Sequence, residues 1–564
     1  MSKVFSATPI SPGMAMGQLL PCQFQTVASP ALSPEQLLKQ ESNALAQLLS
    51  HDGLTPSQHQ LLQADHLLLA DPELLQELLQ QLQQTPSLSD AITALFGQHA
   101  RSLSDLDDPQ MAKRANDVVQ LGQRLARRSR GESLQLPSIL TEPTILLVPD
   151  LTAAEFIQLP KHHLVALILG HGTATDHLAI LLRSAGLPGL VMTDPCSRLT
   201  PGPALLDGDR GQLILASTPH DQHLFAQGLQ HWQQRQHAFN ALRSEPAQTA
   251  DGLAIWLGAN ISSDEEAEQV AQNHLDGVGL LRSEFLYMAE GGWPSEERQF
   301  TLYQAIAQTL AGKPLVIRSF DFGADKNLPG LAQHEPNPAL GIRAIRLGLQ
   351  QPLRLRQQFA AVVRLACDYP VKLLLPMISL TEELIQLREL LEQVKQELEL
   401  WPPLDVGIMI ETPAAAMGLD LLAPYLDFAS IGSNDLAQYC LAADRLNPRV
   451  SPQYPALSVP VLRLINHICQ QATRCQLPLS FCGDLANDPR AIPLLLAMGI
   501  RQLSIPASRS GPIKYHIRQY QEAPGQSLLT QALSCSRTDQ LHSLLNDCVN
   551  AGSSATIEQS PTHK

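Results

Sequence analysis

Residues 277–288 read Gly-Val-Gly-Leu-Leu-Arg-Ser-Glu-Phe-Leu-Tyr-Met, a short apolar run that ends in an arginine and a glutamate. An apolar run of this length, bounded by glycine and by charged residues, predicts a buried strand. From Leu253 onward, eight such runs alternate with helical segments. They are Leu253–Leu257, Gly277–Leu281, Leu315–Ser319, Val371–Pro376, Val406–Ile410, Phe428–Ile431, Leu479–Cys482 and Gln502–Ile505. This rhythm predicts a (β/α)₈ barrel of the TIM type over residues 251–540.

The chemically reactive residues of this region fall at the carboxyl ends of the predicted strands. In chain order they are Arg282, Glu284, Arg318, Asp321, Met377, Glu411, Asn434, Asp435 and Cys482. Active sites of such barrels are built at this end of the strands. Any one of these residues could belong to a structural ion pair. Their recurrence at the same end of six successive strands indicates one shared site.

The cations of this predicted mouth suit a polyanionic substrate. Arg282, Arg318 and Arg445 carry guanidinium groups, which pair with both phosphate and carboxylate. Lys326 adds a further positive charge in the same region. The sequence therefore predicts a substrate that carries one or both of these anionic groups.

Two carboxylates and one thiol complete the predicted site. Glu411 and Asp435 follow neighbouring strands and supply the hard oxygen ligands that Mg²⁺ prefers. Cys482 has no histidine or second cysteine close to it in the sequence, so it does not indicate a metal site. A thiol at a strand end can instead donate a proton.

The region before the barrel has a different pattern of amino acids. Between residues 33 and 130, leucine and glutamine recur at helical spacing. Ser33-Pro34, Thr55-Pro56 and Asp71-Pro72 each place a capping oxygen before a proline, which predicts three helix starts. A fourth helix is predicted from about Pro109 to Arg128.

Short apolar runs flank this helical segment and predict a small sheet. They are Thr144–Val148, Leu164–Leu169, Leu187–Met192 and Gln212–Ala216, with the N-terminal piece Ser6–Leu19 as a further candidate. The helices would then be an insertion in an α/β domain. Residues 221–250 are predicted to form a connecting helix, and residues 541–564 to be a disordered tail.

Composition and charge narrow the class of protein. The chain has 564 residues and a net charge of -15, which argues for several domains and against a nucleic-acid partner. No apolar run is long enough to span a membrane, and the first residues lack the pattern of a signal peptide. The nine cysteines form no closely spaced pairs, which predicts reduced thiols in a cytoplasmic protein.

Several of these stretches resemble one known family. They are 277–288, Ile-Arg-Ser-Phe-Asp-Phe-Gly-Ala-Asp-Lys (317–326), Asn-Pro-Ala-Leu-Gly-Ile-Arg-Ala-Ile-Arg (337–346), Ile-Glu-Thr-Pro-Ala-Ala (410–415), Ile-Gly-Ser-Asn-Asp-Leu-Ala-Gln-Tyr (431–439) and Phe-Cys-Gly-Asp-Leu-Ala (481–486). They are similar to enzyme I of the phosphoenolpyruvate:sugar phosphotransferase system. The resemblance runs in order from about Ser6 to Tyr520.

This resemblance implies a role for each residue of the mouth. Phosphoenolpyruvate would be bound by Arg282, Arg318, Lys326, Arg343, Asn434 and Arg445. Glu411 and Asp435 would bind Mg²⁺, and Cys482 would protonate the enolate carbon as pyruvate forms. Asp484 stands where the family has glutamate, which is a mild change.

The resemblance also implies a phosphohistidine at His177. Thr175, His177 and Arg183 keep the family's spacing, and the preceding glycine loop leads into an apolar helix-like run. The family's Gly-Gly-Arg-Thr-Ser-His-Thr differs at three places, since Ala174, Asp176 and Leu178 replace its arginine, serine and second threonine. Losing a cation and gaining a carboxylate beside the histidine disfavours a phosphate dianion there.

The expected organisation follows from these stretches. Residues 1–32 and 131–220 form the phosphohistidine α/β domain, which swivels, and residues 33–130 form the helical insertion that docks the histidine phosphocarrier protein HPr or a paralogue. The resemblance further implies a homodimer through the barrel domain. Two alternatives stay open: a regulatory protein that senses phosphoenolpyruvate but relays phosphate weakly, and an enzyme similar to pyruvate phosphate dikinase.

Overall fold

The computed structural model describes residues 3–26, 32–50, 56–104, 109–171, 177–192, 199–284, 287, 293–323, 335, 337–447 and 449–555. The chain divides into two units, residues 1–235 and residues 236–564. Within the described part of the chain, no helix has the length and apolar character that crossing a membrane requires.

The first unit is built on a mixed sheet. Its strands are β1 (Lys3–Ser6), β2 (Thr8–Ser11), β3 (Met14–Pro21), β4 (Phe24–Thr26), β5 (Glu132–Leu134), β6 (Thr144–Val148), β7 (Leu164–Leu169), β8 (Gly189–Val191), β9 (Gly202–Asp207) and β10 (Gln212–Leu215). Eight of them form one sheet in the order β1-β10-β9-β3-β6-β7-β8-β2, while β4 and β5 pair separately.

Both faces of the central strands are covered, which explains why their sequences are continuously apolar. Leu146 and Leu167 point into a core on one face, whereas Leu147 and Ile168 point into a core on the other. The strand β9 was not predicted from the sequence. Its Gly202-Pro203 start reads as a turn, and antiparallel pairing with β3 and β10 makes it a strand.

The helical insertion leaves the sheet after β4 and returns at β5, which are paired from Phe24 opposite Leu134 to Thr26 opposite Glu132. Its helices are α1 (Pro34–Leu49), α2 (Pro56–Ala70), α3 (Pro72–Leu82), α4 (Leu88–Ser104) and α5 (Pro109–Ser129). Ser33 and Gln36 form the capping box at the start of α1, and Asp71 caps α3. The start of α2 at Thr55 lies outside the described residues.

The helix α4 was missed in the sequence. Its first residue is Leu88, and the nearby Pro86 lies before the helix rather than at its first position as in α1 and α3. Instead, the hydroxyl of Ser87 accepts a hydrogen bond from the backbone N–H of Asp90 at 3.1 Å, which is an ordinary helix cap. Ile92 and Phe96 of α4 are buried against α5, where Gly122 leaves room for the Phe96 side chain. Three further helices complete this part of the chain: α6 (Ala153–Gln158), α7 (His177–Ser184) and α8 (Pro219–Leu242).

The second unit contains a closed barrel of eight parallel strands, which confirms the predicted fold class. They are β11 (Trp256–Ile261), β12 (Val278–Arg282), β13 (Leu315–Arg318), β14 (Val371–Leu375), β15 (Asp405–Ile410), β16 (Phe428–Ile431), β17 (Leu479–Phe481) and β18 (Gln502–Ile505). The barrel closes where β11 pairs with β18. Leu280, Val316, Leu374, Met409, Phe428 and Cys482 form an apolar cluster of inward-facing residues.

Helices surround these strands. They are α9 (Asp264–Gln272), α10 (Glu296–Thr309), α11 (Ala344–Gln350), α12 (Pro352–Ala366), α13 (Thr381–Leu398), α14 (Pro413–Met417), α15 (Leu419–Leu422), α16 (Ser433–Leu441), α17 (Val459–Arg474), α18 (Ile492–Ala497), α19 (Ser510–Gln519), α20 (Glu522–Ser534) and α21 (Thr538–Ala555).

Three predicted boundaries are wrong. The connecting helix α8 runs from Pro219 to Leu242, rather than over residues 221–250. The first barrel strand is not Leu253–Leu257, because residues 247–255 first form a small hairpin in which Ile255 donates to the carbonyl of Ala247 at 2.8 Å. The expected tail at 541–564 is helical as far as Ala555, because Leu541 and Leu545 of α21 are fully buried in the barrel's outer core.

Candidate active site

The strand register brings the predicted residues to one end of the barrel. Arg282 and Arg318 are the last residues of β12 and β13 and lie directly opposite each other. Glu411 follows β15, whose last residue Ile410 is opposite Ile431 at the end of β16. Cys482 follows β17. The carboxyl-terminal mouth of the barrel therefore gathers arginines, carboxylates and a thiol.

Arg318 is buried among acidic side chains. Its Nη2 contacts Glu284 Oε1, and its Nη1 lies 3.4 Å from Asp321 Oδ2. Burial works against the charge of the guanidinium, but Glu284, Asp321 and Glu411 outweigh it and raise the pKa of Arg318 above its ordinary value. Arg282 differs, since its side chain is partly exposed at the mouth.

Arg343 links two of the acidic residues. Its Nη2 lies 3.0 Å from Asp321 Oδ1 and 3.3 Å from Asp435 Oδ2, and its Nη1 donates to the hydroxyl of Tyr439 at 3.0 Å. The side chain is only 2% exposed. In this arrangement the guanidinium is used to hold carboxylates in place.

Glu411 and Asp435 form the acidic side of the mouth. Glu411 is buried, and its Oε1 accepts the backbone N–H of Met377 at 2.7 Å, where Met377 adopts a left-handed backbone conformation with φ of 59°. Burial, together with the charges of Asp435 and Asp321, raises the pKa of Glu411 to about 8.

The pair fits a hard cation. Oδ1 of Asp435 accepts no hydrogen bond within the described part of the chain, although Nε of Arg445 lies 3.6 Å from it. No group of three or more His, Cys, Asp or Glu side chains is arranged for a metal among these described residues. A cation held by Glu411 and Asp435 would therefore take its other ligands from substrate and water, which is how Mg²⁺ is usually bound.

Asn434 is joined to the loop after β17. Its Nδ2 donates to Asp484 Oδ2 at 2.7 Å, and its Oδ1 accepts the backbone N–H of Asp484 at 2.9 Å. The first turn of α16, which carries Asp435, and the segment after β17, which carries Cys482, are thereby fixed to each other.

Cys482 lies where the apolar interior meets the mouth. Its side chain is buried, and its Sγ lies 3.6 Å from the carbonyl oxygen of Ile431. Burial raises the pKa of the thiol to about 11, although the positive charge of Arg318 opposes this. The group therefore stays protonated at neutral pH, as a proton donor must.

Several predicted residues lie outside the described part of the chain. They are Lys326 and the loop 172–176, with Ala174, Thr175 and Asp176. His177 is the first residue of α7 in the first unit.

Comparison with known proteins agrees with this arrangement. Three family models of phosphoenolpyruvate-utilising enzymes match the chain in order: the N-terminal domain over residues 6–114, the mobile domain over 140–211 and the phosphoenolpyruvate-binding domain over 236–522. The chain belongs to the phosphoenolpyruvate-utilising enzymes.

Curated relatives support the same membership and confirm the resemblance to enzyme I. The chain is 32% identical over 492 residues to the phosphoenolpyruvate-protein phosphotransferase of Staphylococcus carnosus, which covers 85% of this chain and 86% of the relative. It is 33% identical over 494 residues to that of Geobacillus stearothermophilus, with 86% and 85% covered. The multiphosphoryl transfer protein of Xanthomonas campestris is 36% identical over 79% of this chain, which spans 54% of that protein.

The structure of this phosphoenolpyruvate-utilising enzyme also reveals partners that the sequence did not single out. The hydroxyl of Tyr439 supports Arg343. Ser283 and Gln358 are buried beneath the arginines. Ser283 stands between Arg282 and Glu284 in the opening motif and could have been noticed there. Gln358 lies within a helix and has no sequence signal.

Proposed function

We propose that this chain is a phosphoenolpyruvate-protein phosphotransferase. The phosphoryl group of phosphoenolpyruvate passes to the imidazole of His177 and then to a histidine of a phosphocarrier protein similar to HPr. The observation that carries the proposal is the mouth itself, where Arg282 and Arg318 lie opposite each other beside Glu411 and Asp435. The chain aligns with phosphoenolpyruvate-protein phosphotransferases over most of its length, which supports the same reaction.

Substrate binding is the task of the cations. Arg282, Arg318 and Arg445 bind the phosphate and carboxylate of phosphoenolpyruvate, because guanidinium groups pair with both. Lys326 and Asn434 add further contacts to the phosphate. Arg343 has a second role in this proposal, since it holds Asp321 and Asp435 in the positions that the structure shows.

Glu411 and Asp435 hold Mg²⁺ in this proposal. Two buried carboxylates that repel each other, one with a raised pKa, gain most from a cation placed between them. When bound, Mg²⁺ neutralises charge on the phosphate oxygens, and phosphoryl transfer depends chiefly on such neutralisation and on positioning.

Cys482 supplies the proton that completes the first half-reaction. The bond from phosphorus to the enol oxygen breaks as a bond from phosphorus to the His177 imidazole nitrogen forms. The enolate that is left takes the proton of the Cys482 thiol at its methylene carbon and becomes pyruvate. A thiol with a pKa of about 11 keeps this proton until the enolate forms.

The remaining assignments concern partners and location. The carrier protein docks on the helical insertion, residues 33–130. The chain forms a homodimer through the barrel domain, and this is supported by Leu380, Met417 and Leu421, three large apolar side chains that are exposed around β14 and β15. A cytoplasmic location is supported by the free cysteine thiols of the described residues.

The loop around His177 favours one competing function. Asp176 places a carboxylate beside the acceptor, which would slow phosphate relay and leave a protein that senses phosphoenolpyruvate. An enzyme similar to pyruvate phosphate dikinase would need a nucleotide-binding domain, whereas the region before the mobile domain folds as the five-helix insertion.

Labelling with phosphoenolpyruvate tests the proposal. The protein is incubated with Mg²⁺ and phosphoenolpyruvate labelled in its phosphate, and wild type is compared with His177→Ala. We expect acid-labile, base-stable label on wild type and none on the variant. The control is His171→Ala, which removes the nearby exposed histidine and should leave labelling unchanged.

Other results point elsewhere. Label that persists in His177→Ala moves the acceptor to another residue. A wild-type protein that binds phosphoenolpyruvate but takes up no label is the sensor.

A further inference from the structure

A group of buried polar side chains lies directly beneath the arginines of the mouth. Ser283, Tyr287, Gln299, Tyr303 and Gln358 are all fully buried, and they come from three different segments of the barrel unit. Buried polar groups are costly unless they are hydrogen-bonded, so their partners reveal what they hold together.

Gln358, on α12, is the centre of this group. Its Oε1 accepts the backbone N–H of Phe320 at 3.0 Å. A backbone N–H can only donate, so this contact fixes the orientation of the amide. Nε2 then faces three hydroxyls: Ser283 at 3.0 Å, Tyr287 at 2.8 Å and Tyr303 at 3.0 Å.

The hydrogen bonds run in one consistent direction. Gln358 donates to Ser283, whose hydroxyl donates to the backbone carbonyl of Arg318 at 2.8 Å. On the other branch, the two tyrosine hydroxyls contact each other, and Tyr287 donates to Gln299 Oε1 at 2.8 Å. Burial raises the pKa of Tyr303 to about 12, so this branch stays neutral in any ordinary assay.

These contacts join the two strand ends that carry the arginines. Ser283 directly follows Arg282, and Phe320 lies two residues after Arg318. One amide therefore holds the chain just beyond β12 and the chain just beyond β13, whose last residues are opposite each other. Asp321, which contacts Arg318 and Arg343, directly follows the residue that Gln358 holds.

We propose that Gln358 is a positioning residue that sets the separation of Arg282 and Arg318 for phosphoenolpyruvate. The inference rests on the proposed function. It extends that function to a residue that makes no contact with substrate. A side chain that merely filled space would be apolar, whereas this one satisfies a backbone donor and a line of hydroxyls that together allow only one arrangement.

The test compares three variants in steady-state formation of pyruvate from phosphoenolpyruvate, with the phosphocarrier protein HPr in excess to accept the phosphoryl group from His177. Gln358→Met keeps the volume and removes the amide. We expect kcat to fall about tenfold or more while KM changes by less than about threefold, because long arginine side chains still reach the anion but lose the geometry of transfer. The control is Gln357→Met on the same helix, which loses one hydrogen bond from Trp293 and should keep kcat within about twofold.

The pH dependence of the Gln358→Glu variant distinguishes a positioning residue from a side chain that only fills space. A protonated carboxyl can still accept from Phe320 and donate to one hydroxyl, whereas an ionised carboxylate has no donor. The activity of this variant relative to wild type should therefore be higher at pH 6 than at pH 8. Should Gln358→Met fail to fold in thermal melting, Ser283→Ala replaces it, since it removes the hydroxyl that joins Gln358 to the carbonyl of Arg318.

Each result decides the matter. A folded Gln358→Met or Ser283→Ala with wild-type kcat, or a Gln358→Glu whose relative activity does not vary with pH, overturns the positioning role while the proposed function stands. A wild-type protein that forms no pyruvate overturns the proposed function and this role with it.

Discussion

At the scale of single residues, Cys482 occupies the boundary between two environments. Below it, Leu280, Met409 and Phe428 belong to the same apolar cluster inside the barrel, and above it lie the charges of the mouth. Burial keeps the sulfur protonated, and its place at the end of β17 brings it to the site where an enolate would form. Its environment thus supplies the two properties that a proton donor needs.

Replacement of Cys482 by alanine should separate binding from chemistry. We expect pyruvate formation by Cys482→Ala to fall by about 10²- to 10⁴-fold, the usual contribution of a positioned proton donor. Binding should survive, because no arginine of the mouth is altered. Turnover is measured by pyruvate release, and binding by the rise in melting temperature that phosphoenolpyruvate causes. Unchanged turnover would remove Cys482 from the reaction.

The same thiol should make stability depend on pH in an alkaline window. Its pKa is about 11 in the folded chain against 9.0 ordinarily, so the unfolded chain loses the proton first as pH rises. The thiol's contribution to the free energy of unfolding is therefore fully present below pH 9 and is lost as pH rises to 11. This contribution is on the order of 2 to 3 kcal/mol. Thermal melting should show the wild type losing stability relative to Cys482→Ala across this window. A constant difference between the two proteins contradicts the raised pKa.

The sequence could predict which residue types stand at the mouth but not how they are paired. Arg343 was expected to lie near substrate, and that role stays a prediction. In the structure its guanidinium holds Asp321 and Asp435, and this depends on distances across the barrel that no local pattern encodes. Gln358 illustrates the same limit, since its partners Ser283 and Phe320 come from two other segments.

At the scale of secondary-structure elements, a cluster of ion pairs centred on α5 joins α1 of the insertion to α6. Glu41 of α1 is fully buried and contacts Arg124 at 3.2 Å and Arg128, both on α5. Arg124 lies 3.9 Å from Glu155 of α6, and the neighbouring Arg127 pairs with Asp150 at 2.7 Å. One face of α5 therefore bridges the two parts of the first unit.

Neutralising Glu41 should loosen this bridge. Removing one partner of a buried pair leaves the other charges uncompensated, at a cost of about 3 to 5 kcal/mol. In Glu41→Gln we expect amide hydrogen exchange in α1 and α5 to speed up by about 10²-fold or more, which is the corresponding change in local opening. The control is Glu77→Gln, whose pair with His99 is largely exposed and should change exchange little. Equal effects of the two variants on exchange would show that the buried pair stabilises these helices no more than the exposed pair does.

Some strands and helices could be predicted from the sequence and others could not, and the local sequence pattern explains the difference. The strands β6, β7, β16 and β18 were predicted to the residue, because each is a short, largely buried run that polar, proline or glycine residues bound. Two elements were missed for opposite reasons. The strand β9 begins with Gly-Pro and is a strand only through its neighbours, whereas α4 lacks the proline that marks α1 and α3.

At the scale of the whole molecule, the order of strands and helices was the most predictable property. Eight alternating runs indicated a closed barrel, and the structure closes it by pairing β11 with β18. The three family models then follow the same order along the chain. What the sequence could not supply was the extent of the barrel unit, since α21 carries apolar residues in a stretch that otherwise reads as polar.

The paired strands β4 and β5 have a consequence for how such proteins diversify. Thr26 and Glu132 are partners in that ribbon, so the chain departs from the sheet and comes back at the same place. A segment whose two ends are paired in this way can lengthen, shorten or be exchanged without altering the order of the strands in the sheet. The contacts of Arg124 and Arg127 must be kept. The helices of the insertion can then change in sequence and number while the strands of the first unit keep their pairing.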